Sequence, residues 1–442
     1  MAEAIRKDRG LSSHPLLKDR PPKKYLGLDA HSPTISLNEE MESKRGPDYG
    51  YDLWVISVLG KDRPGMIRDL LEAPAKMMVN IVDLDQRILQ GLFVMSMVAD
   101  FGKATATPRE LEARLQKRAR ELGVEVSVLP LDLYRGRRRG GKNLQVVTIL
   151  ARDRVGIIYD VAEIAAGRGI NIEKALVTAR GELISIEFVM DFGPGDTKRV
   201  REELKAECEN LGLDVVVQDL DKSAKEKRLI VFDMDSTIVD FETINQMASF
   251  VGVDREVEEI TRRAMNGELD FVEALRRRVR LLKGTPVEAL EEIAKNIQLT
   301  PGSEELIHHL KQVGYKTALI SGGFTYFTDI LKERLGFDYT FANVLEIKDG
   351  VLTGEVEGEI IDAAAKGRIV NDLARLEGIS PDSVVAVGDG ANDCLMIQNA
   401  GLGVAFNAKD ILKKVSNGSL SKENLIGLLN VLGLADKGGD LL

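Results

Sequence analysis

Between residues 51 and 221 one pattern is written twice. Asp62-Arg63-Pro64-Gly65 returns as Asp153-Arg154-Val155-Gly156, Asn80-Ile81 as Asn171-Ile172, and Asp100-Phe101 as Asp191-Phe192, all at an offset of 91 residues with no gap. A repeat held in register over that length is one supersecondary unit used twice, which excludes most single-core folds for this half of the chain. Within the first copy, LWVISVLG reads as a strand and MIRDLLEAPAKMM as a helix. NIVDLDQRIL and LFVMSMVADF read as two more strands, PRELEARLQKRARELG as a second helix with Leu111, Leu115 and Leu122 on one face, and VEVSVLPL as a closing strand. The order is βαββαβ, over residues 51–132 and again over 143–221. Met77 with Met78, and Met95 with Met97, read as packing of that layer. The glycine of each Asp-Arg-x-Gly turn lets the strand pass directly into a helix whose first N–H groups face outward, a cradle suited to a carboxylate. A plain strand-to-helix turn would use the same residues, and Val155 in place of Pro64 means the two copies need not act alike.

The remaining length holds another domain: 442 residues, at about 150 per domain, suggest three. Residues 1–50 carry five of the 13 prolines and no sustained periodicity, so they read as a flexible tail. Residues 133–142 include the basic run Tyr134 to Lys142, which has a single aromatic and reads as a solvated linker. With 70 acidic against 60 basic residues the net charge is −10, which argues against nucleic-acid and anionic-membrane partners. Two cysteines, Cys208 and Cys394, supply no disulfide framework and no structural zinc set. With neither a signal peptide nor a membrane-length apolar run, the expectation is a cytoplasmic protein.

The chemistry lies after residue 228. RLIVFDMDSTIVDFE is an apolar run of strand length that ends in carboxylates, and Asp233 and Asp235, two apart, share a face at the strand's carboxyl end. KTALISGG ends a second strand at Ser321, AAAKGRIVNDL places Lys366 on a helix, and SVVAVGDGANDCLMI ends a third strand at Asp389 with Asn392 and Asp393 behind it. These types answer the needs of phosphoryl transfer: one carboxylate attacks phosphorus and the other handles the leaving group's proton. Oxygen ligands from Asp233, Asp389 and a neighbouring backbone carbonyl suit Mg²⁺. Lys366 adds a fixed positive charge, and Ser321 with the N–H groups near Gly322 and Gly323 can donate to phosphoryl oxygens. GDGAND lacks the third glycine of a dinucleotide fingerprint.

These four segments are similar to the four motifs of haloacid-dehalogenase-type phosphatases, and among them to the branch that hydrolyses phosphoserine, over roughly residues 228–435. The tandem units resemble ACT domains, over about residues 51–220. The resemblances imply an α/β protein: a Rossmann-like three-layer core at 228–436 with a helical cap at about 243–300, preceded by two ferredoxin-like ACT domains. They imply that Asp233 forms an aspartyl-phosphate and that Asp235 is general acid, then base. Ser321, Gly322, Lys366 and Asn392 would hold substrate, Mg²⁺ would sit on Asp233, Asp235 and Asp389, and Thr237 and Asp393 would support them. From the cap, Glu242 would take the amino group and Arg278 the carboxylate of phosphoserine, with Met265 and Phe271 as apolar lining. An amino-acid effector such as L-serine would bind at Asp62, Gly65 and Asn80, or at Asp153, Gly156 and Asn171, in a homodimer or higher homo-oligomer. The residues leave two alternatives open: transfer of the phosphoryl group to another alcohol such as homoserine, and an amino-acid sensor with a non-catalytic phosphatase-like domain.

Overall fold

The computed structural model describes residues 52–131, 142–180, 183–223, 226–265, 268–421 and 424–434. The tail at 1–50 and the linker at 133–141 lie outside them. Two compact units are present, one formed by the first repeat and the other by everything from residue 142 onward.

In the first unit, strands β1 (Leu53–Lys61), β2 (Asn80–Leu89), β3 (Leu92–Asp100) and β4 (Val124–Pro130) form an antiparallel sheet in the order β2-β3-β1-β4. Helices Met66–Lys76 and Pro108–Leu122 cover one face, burying Ile56, Val58, Met95, Met97, Leu111 and Leu115. Alternation along β1 and β3 supplies that face, as the period of two requires. Met77 is buried, whereas Met78 is 66% exposed, because it follows the helix at φ 56°, where its side chain turns away from the layer. Gly65 starts the first helix at φ 86° and Gly156 does the same in the second repeat at φ 97°, a conformation that penalises any β-carbon.

The second repeat follows as β5 (Leu144–Arg152), helix Ile157–Gly167, β6 (Asn171–Arg180), β7 (Leu183–Asp191), helix Thr197–Asn210 and β8 (Asp214–Asp219). Its offset of 91 holds through Phe192 and then becomes 89. Ile56 faces Val128 in the first copy and Val147 faces Val217 in the second, so the turn after β7 is two residues shorter.

The remaining strands are β9 (Leu229–Phe232), β10 (Lys316–Phe324), β11 (Tyr339–Lys348), β12 (Val351–Glu357), β13 (Val384–Gly388), β14 (Leu402–Phe406) and β15 (Gly418–Leu420). They join the second repeat in one sheet of 11 strands, ordered β12-β11-β10-β9-β13-β14-β15-β8-β5-β7-β6. From β11 to β15 the pairing is parallel, and helices lie on both faces. Ile230 and Phe232 pack against helices Ser303–Gln312 and Thr325–Leu335, while Leu229 and Val231 pack against Ala363–Glu377 and Cys394–Gln398. Burial on both sides explains why β9 reads as an unbroken apolar run. Helices Thr243–Val251, Asp254–Met265, Phe271–Leu281 and Val287–Lys295 form the cap. The segments entering and leaving it pair briefly, with Thr300 N–H donating to Ile238 O and Asp240 N–H to Gln298 O.

The join between repeat and core is antiparallel pairing of β8 with β15, Gly418 facing Val216 and Ser419 facing Val215. Lys205 Nζ donates to the carbonyls of Lys413 and Ser416, 2.9 Å each, and Ser419 Oγ donates to Glu209 at 2.7 Å. Leu150 and Val216 belong to the same apolar cluster as Ile230 and Phe232. Among the described residues, no helix is long and apolar enough to cross a membrane.

Candidate functional site

The carboxyl ends of β9, β10 and β13 converge where the strand order reverses around β9, the usual place for a site in an open parallel sheet. Asp233, just past β9, donates its N–H to Val387 O of β13 and is 3% exposed. Its Oδ1 accepts hydrogen bonds from Lys366 Nζ at 2.7 Å and Met234 N–H at 2.8 Å. The chain then wraps, with the N–H groups of Thr237, Ile238 and Val239 all donating to Met234 O and Ser236 at φ 57°. Thr237 is fully buried and its hydroxyl has no hydrogen-bond partner among the described residues.

Lys366 is fully buried on the helix that Asp362 caps, and its Nζ lies 2.7 Å from both Asp233 Oδ1 and Asp393 Oδ1. Burial alone would lower its pKa, but the two carboxylates outweigh that and raise it. The other oxygen of Asp393 accepts the N–H groups of Asp389 and Gly390, so this side chain shapes the loop after β13. A β-carbon at Gly388 would lie 2.4 Å from Asp393 Oδ2, and the hydrogen bonds that hold that carboxylate leave a side chain there no room.

Ser321 ends the regular part of β10. Between Ile320, which faces Phe341, and Phe324, which faces Asn343, the residues Ser321, Gly322 and Gly323 bulge out of the ladder. Gly323 N–H donates to Ser321 Oγ at 2.8 Å. The carbonyls left without a ladder are taken by fully buried Asn343, whose Nδ2 donates to Gly322 O at 2.8 Å and Gly323 O at 3.2 Å. Its Oδ1 accepts Ile361 N–H at 2.8 Å, just before the helix carrying Lys366. Asn343 therefore ties two of the converging segments together. No sequence motif marks it, since a single Asn inside a strand has no spacing signal.

From the cap, Phe271 covers Gly322, a β-carbon there meeting its Cζ at 3.2 Å. Arg278 is largely buried with one internal hydrogen bond, from Nε to Ala274 O; burial lowers its pKa and the charges of Glu242 and Asp235 act against that. Met265 ends its helix, and its side chain lies outside the described residues. Asp235 accepts Thr243 N–H on Oδ1 at 3.1 Å and Thr243 Oγ1–H on Oδ2 at 3.3 Å. Burial and then Glu242 push its pKa up to about 7.

The local charge balance favours a cation. Among the described residues, Asp233, Asp235, Glu242, Asp389 and Asp393 outnumber the cations that act on them, Lys366, Arg278 and Lys409. Asp389 is pushed up to about 7 by burial, then by Asp393 and Glu242, and Asp233 is raised by burial and Asp393 in spite of Lys366. Carboxylate oxygens of Asp233, Asp389 and Asp393 lie within 4.8 Å of one another. Because both oxygens of Asp393 already accept hydrogen bonds, Asp233 and Asp389 are the members that can turn an oxygen to a divalent ion, and an all-oxygen set fits Mg²⁺.

The two effector sets do not gather in the same way. Asp62 and Gly65 lie past the carboxyl end of β1, but Asn80 is level with Leu53 at its start, since both face Asp100 of β3. Over the nine residues of β1 that is roughly 30 Å. Asp153, Gly156 and Asn171 are separated likewise, Asn171 and Leu144 both facing Asp191. The arginines of both turns pair with their own helices, Arg63 with Asp69 and Arg154 with Asp160, each at 2.6 Å.

Comparison with known proteins agrees with this geometry. The haloacid dehalogenase-like hydrolase family matches residues 227–401, and the ACT domain family matches 52–129 and 145–209. A phosphoserine phosphatase of Archaeoglobus fulgidus is 56% identical over 343 residues, covering 78% of this chain and 98% of that protein. One from Streptomyces coelicolor is 36% identical over 388 residues, covering 86% and 92%. A crystal structure of a probable phosphoserine phosphatase from Vibrio cholerae, unliganded, superposes with a TM-score of 0.54 at 34% identity, covering 66% of this chain and 87% of that one.

Proposed function

The chain belongs to the phosphoserine phosphatase family of haloacid dehalogenase-like hydrolases that carry ACT domains, and from that membership we propose that it hydrolyses O-phospho-L-serine to L-serine and phosphate, with the phosphoryl group passing through Asp233. The observation that carries the reading is the pairing of a buried Asp233, gripped by Lys366 at 2.7 Å, with Asp235 two residues on, whose pKa of about 7 lets it hold a proton near neutrality.

The substrate phosphate seats against Ser321 and the bulged glycine segment, which Asn343 holds in place by its carbonyls. A carboxylate oxygen of Asp233 forms a bond to phosphorus, the bond to the serine oxygen breaks, and Asp235 supplies that oxygen with a proton. In the second half Asp235 removes a proton from water, which attacks phosphorus and releases Asp233. Lys366 holds Asp233 in one rotamer throughout. Glu242 and Arg278 bind the substrate's ammonium and carboxylate, and Phe271 closes over Gly322 to exclude water. Mg²⁺, on Asp233, Asp389 and the backbone carbonyl of Asp235, would offset the repulsion between carboxylate and phosphate.

The reaction forms serine, so a last step of serine synthesis is the natural place for the enzyme. L-serine or another amino acid is the proposed effector of the ACT domains. Because each turn lies at the far end of its module from its asparagine, the effector site takes the turn from one module and the asparagine from another, which a homodimer supplies. Phosphate release from L-phosphoserine with Mg²⁺ tests the chemistry: Asp233→Asn is expected to lose at least about 10³-fold, as members of a catalytic unit do. An undiminished variant refutes it.

A further inference from the structure

Thr243 has no place in the four motifs, yet it hydrogen-bonds both oxygens of Asp235, by its N–H and by its hydroxyl. It is fully buried and begins the first cap helix, immediately after Glu242. Two donors from one residue to two oxygens of one carboxyl define the plane of that carboxyl, which a single hydrogen bond does not. That plane has a consequence for where Asp235 points. A β-carbon at Gly323 would lie 3.0 Å from Asp235 Oδ2 and 3.0 Å from Ser321 Oγ, so the Oδ2 edge borders the same space as the phosphate-facing serine. Rotation of the carboxyl about its own axis would turn that edge away from the ester oxygen.

We propose that Thr243 is a positioning residue that holds the general acid toward the leaving group, and that it does so only while the cap helix is seated. The proposal rests on the reading of Asp235 as proton donor. Its chemistry is P–O cleavage: the proton of Asp235 passes to the serine oxygen as that oxygen leaves phosphorus. Because Glu242 and Thr243 are adjacent on one helix start, binding of the substrate ammonium at Glu242 and alignment of Asp235 by Thr243 fix the same backbone. A substrate that leaves the cap unseated therefore meets a misaligned acid.

The test exploits leaving-group dependence. A serine alkoxide needs a proton, whereas p-nitrophenolate leaves as a stable anion and needs little help. Thr243→Val keeps shape and loses the hydroxyl; Thr243→Ser keeps the hydroxyl. For the full chain with Mg²⁺, Thr243→Val is expected to lower kcat/KM for phosphoserine by about 10- to 100-fold, at least about tenfold more than kcat/KM for p-nitrophenyl phosphate, since this ratio reads the step in which the leaving group departs and not the hydrolysis common to both substrates. Thr243→Ser is expected to restore kcat/KM to within about threefold. Asp235→Asn is measured alongside. If Asp235→Asn shows the leaving-group selectivity and Thr243→Val lowers both substrates equally, or serine fails to restore, the Thr243 inference is overturned. If Asp235→Asn itself shows no selectivity, the acid role is what fails. Should the valine variant melt as an unfolded chain, Thr243→Ala is compared on the same two substrates, with the same outcomes deciding.

Discussion

Replacing Asp389 by Asn is expected to abolish turnover and yet stabilise the protein when no divalent ion is bound. Asp389 is placed by the end of β13 beside Asp393, and its pKa is pushed from 3.8 up to about 7 by burial first and then by the charges of Asp393 and Glu242. A carboxyl whose folded pKa is raised is a cost to stability that is absent below the unfolded value and fully present above the folded one. At about 1.4 kcal/mol for each pH unit of difference, ionising Asp389 in the folded protein costs up to about 4 kcal/mol, and solvent at its open edge reduces this toward about 2 kcal/mol. Asparagine has the same shape and no charge. In EDTA at pH 8, Asp389→Asn is therefore expected to melt several degrees above the wild type, taking about 2–4 °C per kcal/mol for a domain of this size. At pH 5.5 the difference should shrink, because the wild-type carboxyl is then largely protonated. Mg²⁺ at about 100 times its Kd should raise the wild-type stability by about 2.7 kcal/mol and the variant's by much less. Thermal melts at the two pH values, with EDTA and with Mg²⁺, read all of this. A variant that in EDTA at pH 8 melts at or below the wild type refutes the reasoning, as does a difference that fails to grow with pH.

Three further outcomes follow from the same geometry. Arg278→Met removes the largely buried guanidinium facing Glu242, and is expected to raise KM for phosphoserine by about 10- to 100-fold with a much smaller effect on p-nitrophenyl phosphate; equal effects on both would refute the head-group role. Gly418→Val places a β-carbon 2.0 Å from Val215 O, so β15 must part from β8, and a loss of about 3–5 kcal/mol is expected in urea melts; a loss below about 1 kcal/mol would show the join to be dispensable. Deleting residues 1–139 leaves β8 on β15, whereas deleting 1–221 bares that edge and the neighbours of Leu150 and Val216. The shorter deletion is expected to keep the melting point within a few degrees and the longer one to lower it further, while both lose the response to L-serine; an unchanged serine response after the longer deletion refutes regulation by the ACT domains.

The catalytic carboxylates were legible because their signal is local. Asp233 and Asp235 follow an apolar strand at a spacing of two, and Asp389 and Asp393 follow another within five residues. Asn343 and Thr243 were not legible, since each acts on a partner through a hydrogen bond that no periodicity reports. Asn343 reaches Gly322 across 21 residues, and Thr243 reaches Asp235 across eight, through a wrap centred on Ser236 at φ 57°. The two-residue contraction after Phe192 was hidden because the matched residues all precede it. Met78 was misplaced because its neighbours are apolar, while its side chain's direction depends on a positive φ that no residue type nearby announces.

Residue order alone determined that residues 52–219 hold two copies of one βαββαβ unit and that two apolar core strands, β9 and β13, run directly into carboxylates: both follow from short-range pattern, which survives in an unfolded chain. Tertiary structure decided how those pieces act together. Pairing β8 with a three-residue β15 some 200 positions away merges the second copy with the catalytic sheet, and burial beside neighbouring carboxylates raises the proton affinities of Asp233, Asp235 and Asp389. The physical reason is the same in both cases. Edge pairing and electrostatic shifts depend on distance in space and on exclusion of water, and neither is a property of neighbouring residues in the chain.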